Sequence, residues 1–196
     1  MAYATFPLND RESALAGSAE QPARPSHARL FIALWPAVAE RTALVRHRRQ
    51  WVWPGKASLV RAERLHLTLH FIGALERSRI EHVAAGLQVP MSAFQLTLTH
   101  PDIWPRGIAV LRTGELPAAL LQLHAQLGEA LRALELPVEA RRFRPHVTLA
   151  RGAADATPPA APAAVRWAVD GYVLVESTAD SGGGYRILRR YGEQPG

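Results

Sequence analysis

One short pattern occurs twice in this chain: a histidine, an apolar residue, a threonine and a leucine. The copies are HLTL at residues 66–69 and HVTL at residues 146–149. A shuffled chain of the same composition would hold about 0.08 such segments, so two copies are expected in fewer than about one chain in a hundred. Polar and apolar residues that alternate in this way indicate a β-strand with one buried face. The fold therefore has to accommodate two matching strands, each with a polar row on one side.

Strand geometry groups the polar residues of each copy. Because successive side chains alternate between the two faces, His66 and Thr68 point one way, and His146 and Thr148 do likewise. If the two halves of the chain are related by a pseudo-two-fold, both imidazoles and both hydroxyls enter one cleft. By the same alternation His70 shares the face of His66, and we expect it at the rim of the cleft.

Two imidazoles on either side of one phosphate can carry out in-line cleavage of a phosphodiester. A neutral imidazole takes a proton from the attacking oxygen, and a protonated one gives a proton to the leaving oxygen; histidine suits both roles because its pKa lies near neutrality. The hydroxyls of Thr68 and Thr148 can donate hydrogen bonds to the non-bridging oxygens. The residues alone do not say which histidine is the acid. A sheet face that is merely half exposed is the structural alternative.

Composition excludes several classes of site. The chain has no cysteine, which excludes disulfides and thiolate metal sites. Threonine is a poor zinc ligand, and no acidic residue lies at metal-ligand spacing near either copy, so we expect no metal and no cofactor. The net charge of +6 comes almost entirely from arginine, since Lys56 is the only lysine. A solvated arginine-rich surface and attraction to a polyanion explain this charge equally well.

Residues 1–27 are polar, dotted with proline and aperiodic, which predicts a disordered N-terminal extension. They lack the pattern of a signal peptide, and no apolar run approaches the ~20 residues of a membrane helix, so we expect a cytoplasmic protein. We expect a single domain over residues 28–192 and a short tail at 193–196. Residues 154–165, rich in alanine and proline, are expected to form an exposed, mobile loop.

Apolar periodicity within the domain predicts alternating strands and helices. The predicted strands cover 28–35, 65–73, 94–100, 108–114 and 146–151, and a final hairpin joins 166–177 to 185–191 across a glycine-rich turn. Helices are predicted after Pro36, over 77–88 and over 116–136. This order favours an α+β fold whose two halves resemble each other.

With its flanking residues, the duplicated pattern resembles the signature of the two-histidine phosphoesterase superfamily, a pair of His-x-Thr/Ser motifs. Within it, the chain resembles the RNA 2′,3′-cyclic phosphodiesterase family, also called 2′-5′ RNA ligase-like proteins. The stretches that carry the resemblance are RLFIALWP, LHLTLHFIG and FRPHVTLAR, supported by WPRGIAVL and YRILRRY. The resemblance implies a bilobal α+β fold with a pseudo-two-fold, in which antiparallel sheets line a central cleft and helices lie outside.

The activity that the resemblance implies is metal-free hydrolysis of a terminal 2′,3′-cyclic phosphate on RNA to a 2′-phosphomonoester. Carried over by position, His66 would be the proton donor to the 3′ leaving oxygen, and His146 the proton acceptor that activates water. Arg151 matches an arginine common in the family and would hold the phosphate. Strict alternation aims Arg151 at the opposite face, so this role needs a strand end or a bulge, which the following Gly152 favours. An ordinary surface arginine is the alternative. The expected partner is RNA with a 2′,3′-cyclic phosphate end, tRNA fragments among the candidates, bound by a monomer.

Alternatives remain open at this point. A small cyclic nucleotide could replace RNA as the substrate, 2′-5′ RNA ligation could be the physiological direction, and a non-catalytic RNA-binding module is an alternative of a different class. Phe143 and Trp104 are candidates for stacking a base, against packing in the core or a loop. Arg141, Arg142 and Arg144 are candidates for steering RNA, against ordinary solvated charge.

Overall fold

The computed structural model describes residues 26–178 and 184–192, in which the strands form one antiparallel sheet flanked by helices. In chain order the elements are β1 (His27–Leu34), α1 (Val38–Arg48), β2 (Ser58–Leu59), β3 (Leu67–Glu76), α2 (Ile80–Gly86), β4 (Phe94–Trp104), β5 (Ile108–Thr113), α3 (Ala118–Ala133), β6 (His146–Arg151), β7 (Val165–Val169), β8 (Gly171–Thr178) and β9 (Gly184–Gly192). The predicted α+β class is confirmed. None of the described helices is both long and apolar enough to cross a bilayer.

The order of the strands contains the predicted pseudo-two-fold. It reads β7-β4-β5-β6-β3-β1-β8-β9, and the short β2 pairs with β6. The two motif strands, β3 and β6, meet at the centre through a single register pair, Leu67 opposite Val147. In each half a helix links an inner strand to the motif strand, as β1–α1–β3 and as β5–α3–β6. The sheet curls, so its central strands line one cleft.

Two apolar clusters lie on opposite faces of the sheet. The main core packs leucines of the strands against α3, whose buried residues recur at helical spacing as Leu120, Leu123, Leu127 and Leu131. A smaller cluster on the cleft side is formed by Phe31, Ala33, Val173 and Val175, with Trp35 and Ile187 packed against it. Alternation along β1 produces this division, because even-numbered residues enter the main core and odd-numbered ones face the cleft.

Both motif strands contain a β-bulge at the same place. The register between β1 and β3 skips Leu69, and the register between β5 and β6 skips Leu149. A bulge adds one residue and shifts the alternation that follows it. Leu69 and the next residue, His70, are therefore both buried toward the core, as are Leu149 and Ala150. The residue after each pair returns to the cleft face.

The C-terminal strands differ from the prediction. Residues 166–177 do not form one strand, because the chain breaks at Asp170 between β7, which pairs with β4, and β8, which pairs with β1 and β9. The predicted hairpin is thus β8–β9. At this break Gly192 has φ +105, and a Cβ there would collide with the carbonyl of Asp170, so glycine is needed. Residues 179–183, which include most of the glycine-rich turn, lie outside the described residues.

The remaining segment expectations have mixed outcomes. Of the predicted extension at 1–27, only Ser26 and His27 fall within the described residues, and His27 already belongs to β1; the predicted tail at 193–196 is not described either. The stretch 154–165 is mostly exposed, as expected, but it is tied to the loop that follows α1. Val52 and Thr157 exchange two backbone hydrogen bonds of 3.0 Å.

The junction of the two halves yields a stability prediction. Leu67 is fully buried at the one register pair between β3 and β6. Leu67→Ala should lower the free energy of unfolding by about 2–5 kcal/mol, because it leaves a cavity in the core. The matched control is Leu121→Ala, because Leu121 lies on α3 and is 44% exposed. This change should alter the free energy of unfolding by less than about 0.5 kcal/mol. Urea unfolding followed by circular dichroism measures the stability of both variants. Equal losses of stability would contradict the central place of Leu67 in the core.

Candidate active site

The two motif histidines are held in the same way. His66 Nδ1 lies 2.7 Å from the carbonyl oxygen of Arg64, and His146 Nδ1 lies 2.7 Å from that of Arg144. A carbonyl oxygen can only accept a hydrogen bond, so each Nδ1 carries the hydrogen and donates it. Each Nε2 is then the unprotonated nitrogen of the neutral ring, and it is the atom left to exchange a proton with a ligand.

Aromatic rings surround His66. Trp35 stacks on the imidazole with centroids 5.6 Å apart, Phe31 lies at 5.0 Å, and Tyr185 meets it edge-on at 5.2 Å. Burial among these rings, followed by the charges of His146 and Arg151, lowers the pKa of His66 to about 4, against the opposing hydrogen bond to the backbone. His66 is therefore neutral at pH 7 in the free protein.

The surroundings of His146 are more strongly charged. Trp104 lies 4.3 Å from the ring, and the guanidinium of Arg144 lies 4.6 Å above the Trp104 centroid. Burial lowers the pKa of His146, and the positive charges of Arg141, Arg144 and Arg151 lower it further. The two motifs are nearly identical in sequence, but His66 lies among aromatic rings and His146 lies among arginines.

The bulge at Leu149 accounts for the position of Arg151. With both Leu149 and Ala150 in the core, Arg151 is exposed on the face that carries His146 and Thr148. The positive charge of Arg151 lowers the pKa of His66 as well as that of His146, so it lies within electrostatic reach of both rings. The bulge that a phosphate-holding role requires is therefore present, though it lies before the arginine and not at the glycine that follows it.

The equivalent bulge at Leu69 overturns the expectation for His70. His70 is 3% exposed and lies on the core side, beneath α3, so it is not a rim residue of the cleft. The residue that takes its predicted place on the cleft face is Phe71, which is 49% exposed and lies 6.2 Å from Phe31. Thr68 precedes the bulge and stays half-buried on the same face as His66, as Thr148 does in the other strand.

The secondary candidates lie in three different surroundings. Trp104 is at the site, where its indole Nε1 donates to Asp102 at 3.0 Å and its ring faces His146. Phe143 is packed away from the cleft against His124 of α3, with ring centroids 3.9 Å apart, so it has the packing role and is not free to stack a base. Arg142 is exposed in the loop before β6.

Sequence reasoning missed two features of this site. The first is that the repeat is longer than four residues, because Arg64 and Arg144 each stand two places before the histidine and supply its carbonyl partner. This signal was visible in the chain as R-x-H-x-T-L in both copies. The second is the aromatic wall of Phe31, Trp35 and Tyr185. Phe31 on β1 and Trp35 directly after β1 follow the odd-numbered alternation, whereas no local pattern marks Tyr185, which lies on β9.

A metal centre finds no support in the side chains. Within residues 26–178 and 184–192, no three His, Cys, Asp or Glu residues come together as metal ligands do. The groups gathered at the cleft are instead imidazoles, hydroxyls and a guanidinium, which suit an anionic ligand.

Comparison with known proteins identifies the family. A sequence profile of the 2′-5′ RNA ligase superfamily matches residues 34–181. The chain belongs to this superfamily. It is 31% identical over 131 residues to the RNA 2′,3′-cyclic phosphodiesterase of Escherichia coli (strain K12), an alignment covering 65% of this chain and 74% of that relative.

Solved structures of E. coli LigT agree with this membership of the 2′-5′ RNA ligase superfamily. The apo form superposes with a TM-score of 0.75 at 27% identity and covers 85% of this chain and 98% of LigT. The complex of LigT with 3′-AMP gives a TM-score of 0.76 at 26% identity over the same shares. The curled antiparallel sheet of this superfamily member is therefore that of the two-histidine phosphoesterase fold.

The effect of the Arg151 charge on the two motif histidines can be tested without a substrate. Arg151→Gln removes a positive charge that acts on both rings, so the pKa of His66 and that of His146 should each rise. The matched control is Arg166→Gln on the edge strand β7, which should move neither. Titration of the histidine ¹⁵N signals by NMR measures both values and reports the tautomer. If Arg151→Gln leaves both titrations unchanged, Arg151 does not share the site.

Proposed function

We propose that this protein hydrolyses a terminal 2′,3′-cyclic phosphate on RNA to a 2′-phosphomonoester, without a metal, by general acid–base catalysis. The observation that carries the proposal is the matched pair of histidines, each of which donates its Nδ1–H to a backbone carbonyl oxygen and has its pKa lowered by the charge of the same arginine, Arg151. Two such rings leave two Nε2 atoms for proton transfer in one cleft. Membership of the 2′-5′ RNA ligase superfamily and the name of the E. coli relative support this chemistry.

In the proposed reaction His146 Nε2 takes a proton from water, and the water oxygen attacks the phosphorus. The bond from phosphorus to the 3′ oxygen breaks, and His66 Nε2 gives its proton to that oxygen, leaving a free 3′-hydroxyl and a 2′-phosphomonoester. The hydroxyls of Thr68 and Thr148 donate hydrogen bonds to the non-bridging oxygens as negative charge grows there. The guanidinium of Arg151 binds the phosphate.

The assignment of the acid to His66 and the base to His146 follows the positions of the two motifs in the family that the chain resembles, because the surroundings lower the pKa of both rings. Burial, with a further contribution from the arginine charges, lowers the pKa of His146 and keeps the ring neutral, which is the form that accepts a proton. His66 is neutral in the free protein, and it must gain a proton when the substrate arrives. The negative charge of the phosphodiester favours the protonated ring and so opposes the effect of burial. The rings of Trp35 and Tyr185 beside His66 offer stacking surfaces for an unpaired nucleoside at an RNA end.

The finer parts of the proposal concern substrate and setting. We infer a cytoplasmic monomer that acts on RNA ends such as those of tRNA fragments. The superfamily name also favours 2′-5′ ligation as a second candidate activity, which is the same reaction with an RNA hydroxyl in place of water. Incubation with tRNA halves tests ligation, and comparing turnover of RNA ends with that of small cyclic nucleotides tests the substrate class.

Loss of either histidine should abolish turnover without unfolding the protein. With a 2′,3′-cyclic-phosphate oligonucleotide in EDTA, the wild type should yield the 2′-phosphate. His66→Ala and His146→Ala should each reduce kcat/KM by about a thousandfold or more. His82→Ala, an exposed histidine on α2, is the control and should keep full activity. A 3′-phosphate product or a requirement for divalent metal would count against the mechanism. RNA binding without hydrolysis, unaffected by both changes, would favour a binding module.

The pH dependence should differ between free and bound protein. Because the pKa of both histidines is lowered in the free protein, kcat/KM should follow a bell with its maximum below about pH 6.5. Bound phosphodiester raises both pKa values, so the kcat profile should be displaced to higher pH. Steady-state rates across the pH range measure both profiles. A kcat/KM maximum on the alkaline side of pH 7 would be inconsistent with acid–base catalysis by this pair.

A further inference from the structure

Three stacked rings lie beneath the floor of the cleft. His70 is on β3, four residues after His66; His124 is in the middle of α3; and Phe143 is three residues before His146. The ring centroids of His70 and His124 are 4.1 Å apart, and those of His124 and Phe143 are 3.9 Å apart. The interplanar angles are 20° and 21°, so the three rings are close to parallel.

The stack is fixed at its buried end. His70 is 3% exposed, and its Nε2 donates to the carbonyl oxygen of His124 at 2.8 Å. Burial lowers the pKa of both histidines, in His124 to about 4 with a further contribution from His70. Both rings are therefore neutral at pH 7 and stack without mutual repulsion. Neither touches the groups of the proposed reaction.

The stack joins the two motif strands by a second route. Directly, β3 and β6 share one register pair. The segment before β6, residues 137–145, has no regular secondary structure, yet its Arg144 carbonyl fixes the His146 ring. Phe143 is the neighbour of Arg144, so the placement of Phe143 on His124 determines where that carbonyl lies. At the other end, His70 belongs to β3, which begins directly after His66.

We propose that the stacked rings of His70, His124 and Phe143 are a positioning device that holds the Arg144 carbonyl, and with it His146, in place relative to His66. His124 and Phe143 are positioning residues, since they act through Arg144 and not on a ligand. The expected effect of the stack on turnover rests on the proposed function, whereas its expected effect on the position of the His146 ring does not.

The experiment compares variants that remove or keep the stack. His124→Ala leaves the backbone carbonyl for His70 but removes the middle ring, whereas His124→Phe keeps an aromatic ring there. Phe143→Leu keeps apolar volume and removes the outer ring, so it serves if His124→Ala does not fold. His82→Ala is the control for loss of a histidine elsewhere. The readouts are the ¹⁵N signals of His146 by NMR, kcat and KM on a 2′,3′-cyclic-phosphate oligonucleotide, and the melting temperature.

His124→Ala and Phe143→Leu should shift the His146 signals and lower kcat about ten- to hundredfold, the size expected when a reacting group moves by about 1 Å, with KM changed by less than about threefold. His124→Phe should stay within about threefold of the wild type in kcat, with His146 unmoved. His82→Ala should resemble the wild type in every readout.

Two results would overturn the inference. One is an unshifted His146 in both stack-removing variants, which would reduce the rings to ordinary packing whatever the melting temperature does. The other is a His124→Phe variant as impaired as His124→Ala, which would assign the effect to the imidazole and not to stacking. If the wild type itself does not turn over the cyclic phosphate, the proposed function fails, while the His146 signals still decide the role of the stack.

Discussion

The hydrogen bond from each motif histidine to the carbonyl two residues before it is the interaction on which the site depends. A free imidazole can rotate and exchange tautomers, and neither ring nitrogen is then reserved for catalysis. Donation of Nδ1–H to Arg64 or Arg144 removes both freedoms. Because the accepting carbonyl lies just before the strand, the repeat R-x-H-x-T-L contains within six residues the imidazole, its orienting carbonyl and a hydroxyl on the same face.

Two copies of this unit meet at the centre of the sheet, and the differences between them arise from their neighbours. Tyr185, on β9, and Trp35, directly after β1, come from the half of the sheet that contains β3, and Trp104, on β4, comes from the half that contains β6. Aromatic burial lowers the pKa of one histidine, and burial with arginine charge lowers that of the other. The two motif strands thus match in sequence but place their imidazoles in different surroundings.

Sequence patterns predicted the features that depend on neighbouring residues and missed those that depend on contacts between distant segments. Alternation over four residues placed His66 with Thr68 and His146 with Thr148, and the order of elements indicated the α+β class. The same alternation failed at His70 and left Arg151 on the wrong face, because a bulge changes the period without leaving a mark in composition. The aromatic wall depends on contacts between distant strands, and no local pattern encodes those. The break at Asp170 was hidden for the same reason, since each half of that stretch pairs with a different partner.

The most direct test of the two-histidine arrangement is a crystal structure of the protein with a cyclic uridine vanadate, which mimics five-coordinate phosphorus. We expect Nε2 of His66 and Nε2 of His146 each to lie about 2.7–3.2 Å from one of the two opposed apical oxygens, while both Nδ1 atoms keep their carbonyl partners. A vanadate bound outside the cleft would contradict in-line catalysis by this pair. So would a bound vanadate with both imidazoles on the same side of the vanadium atom.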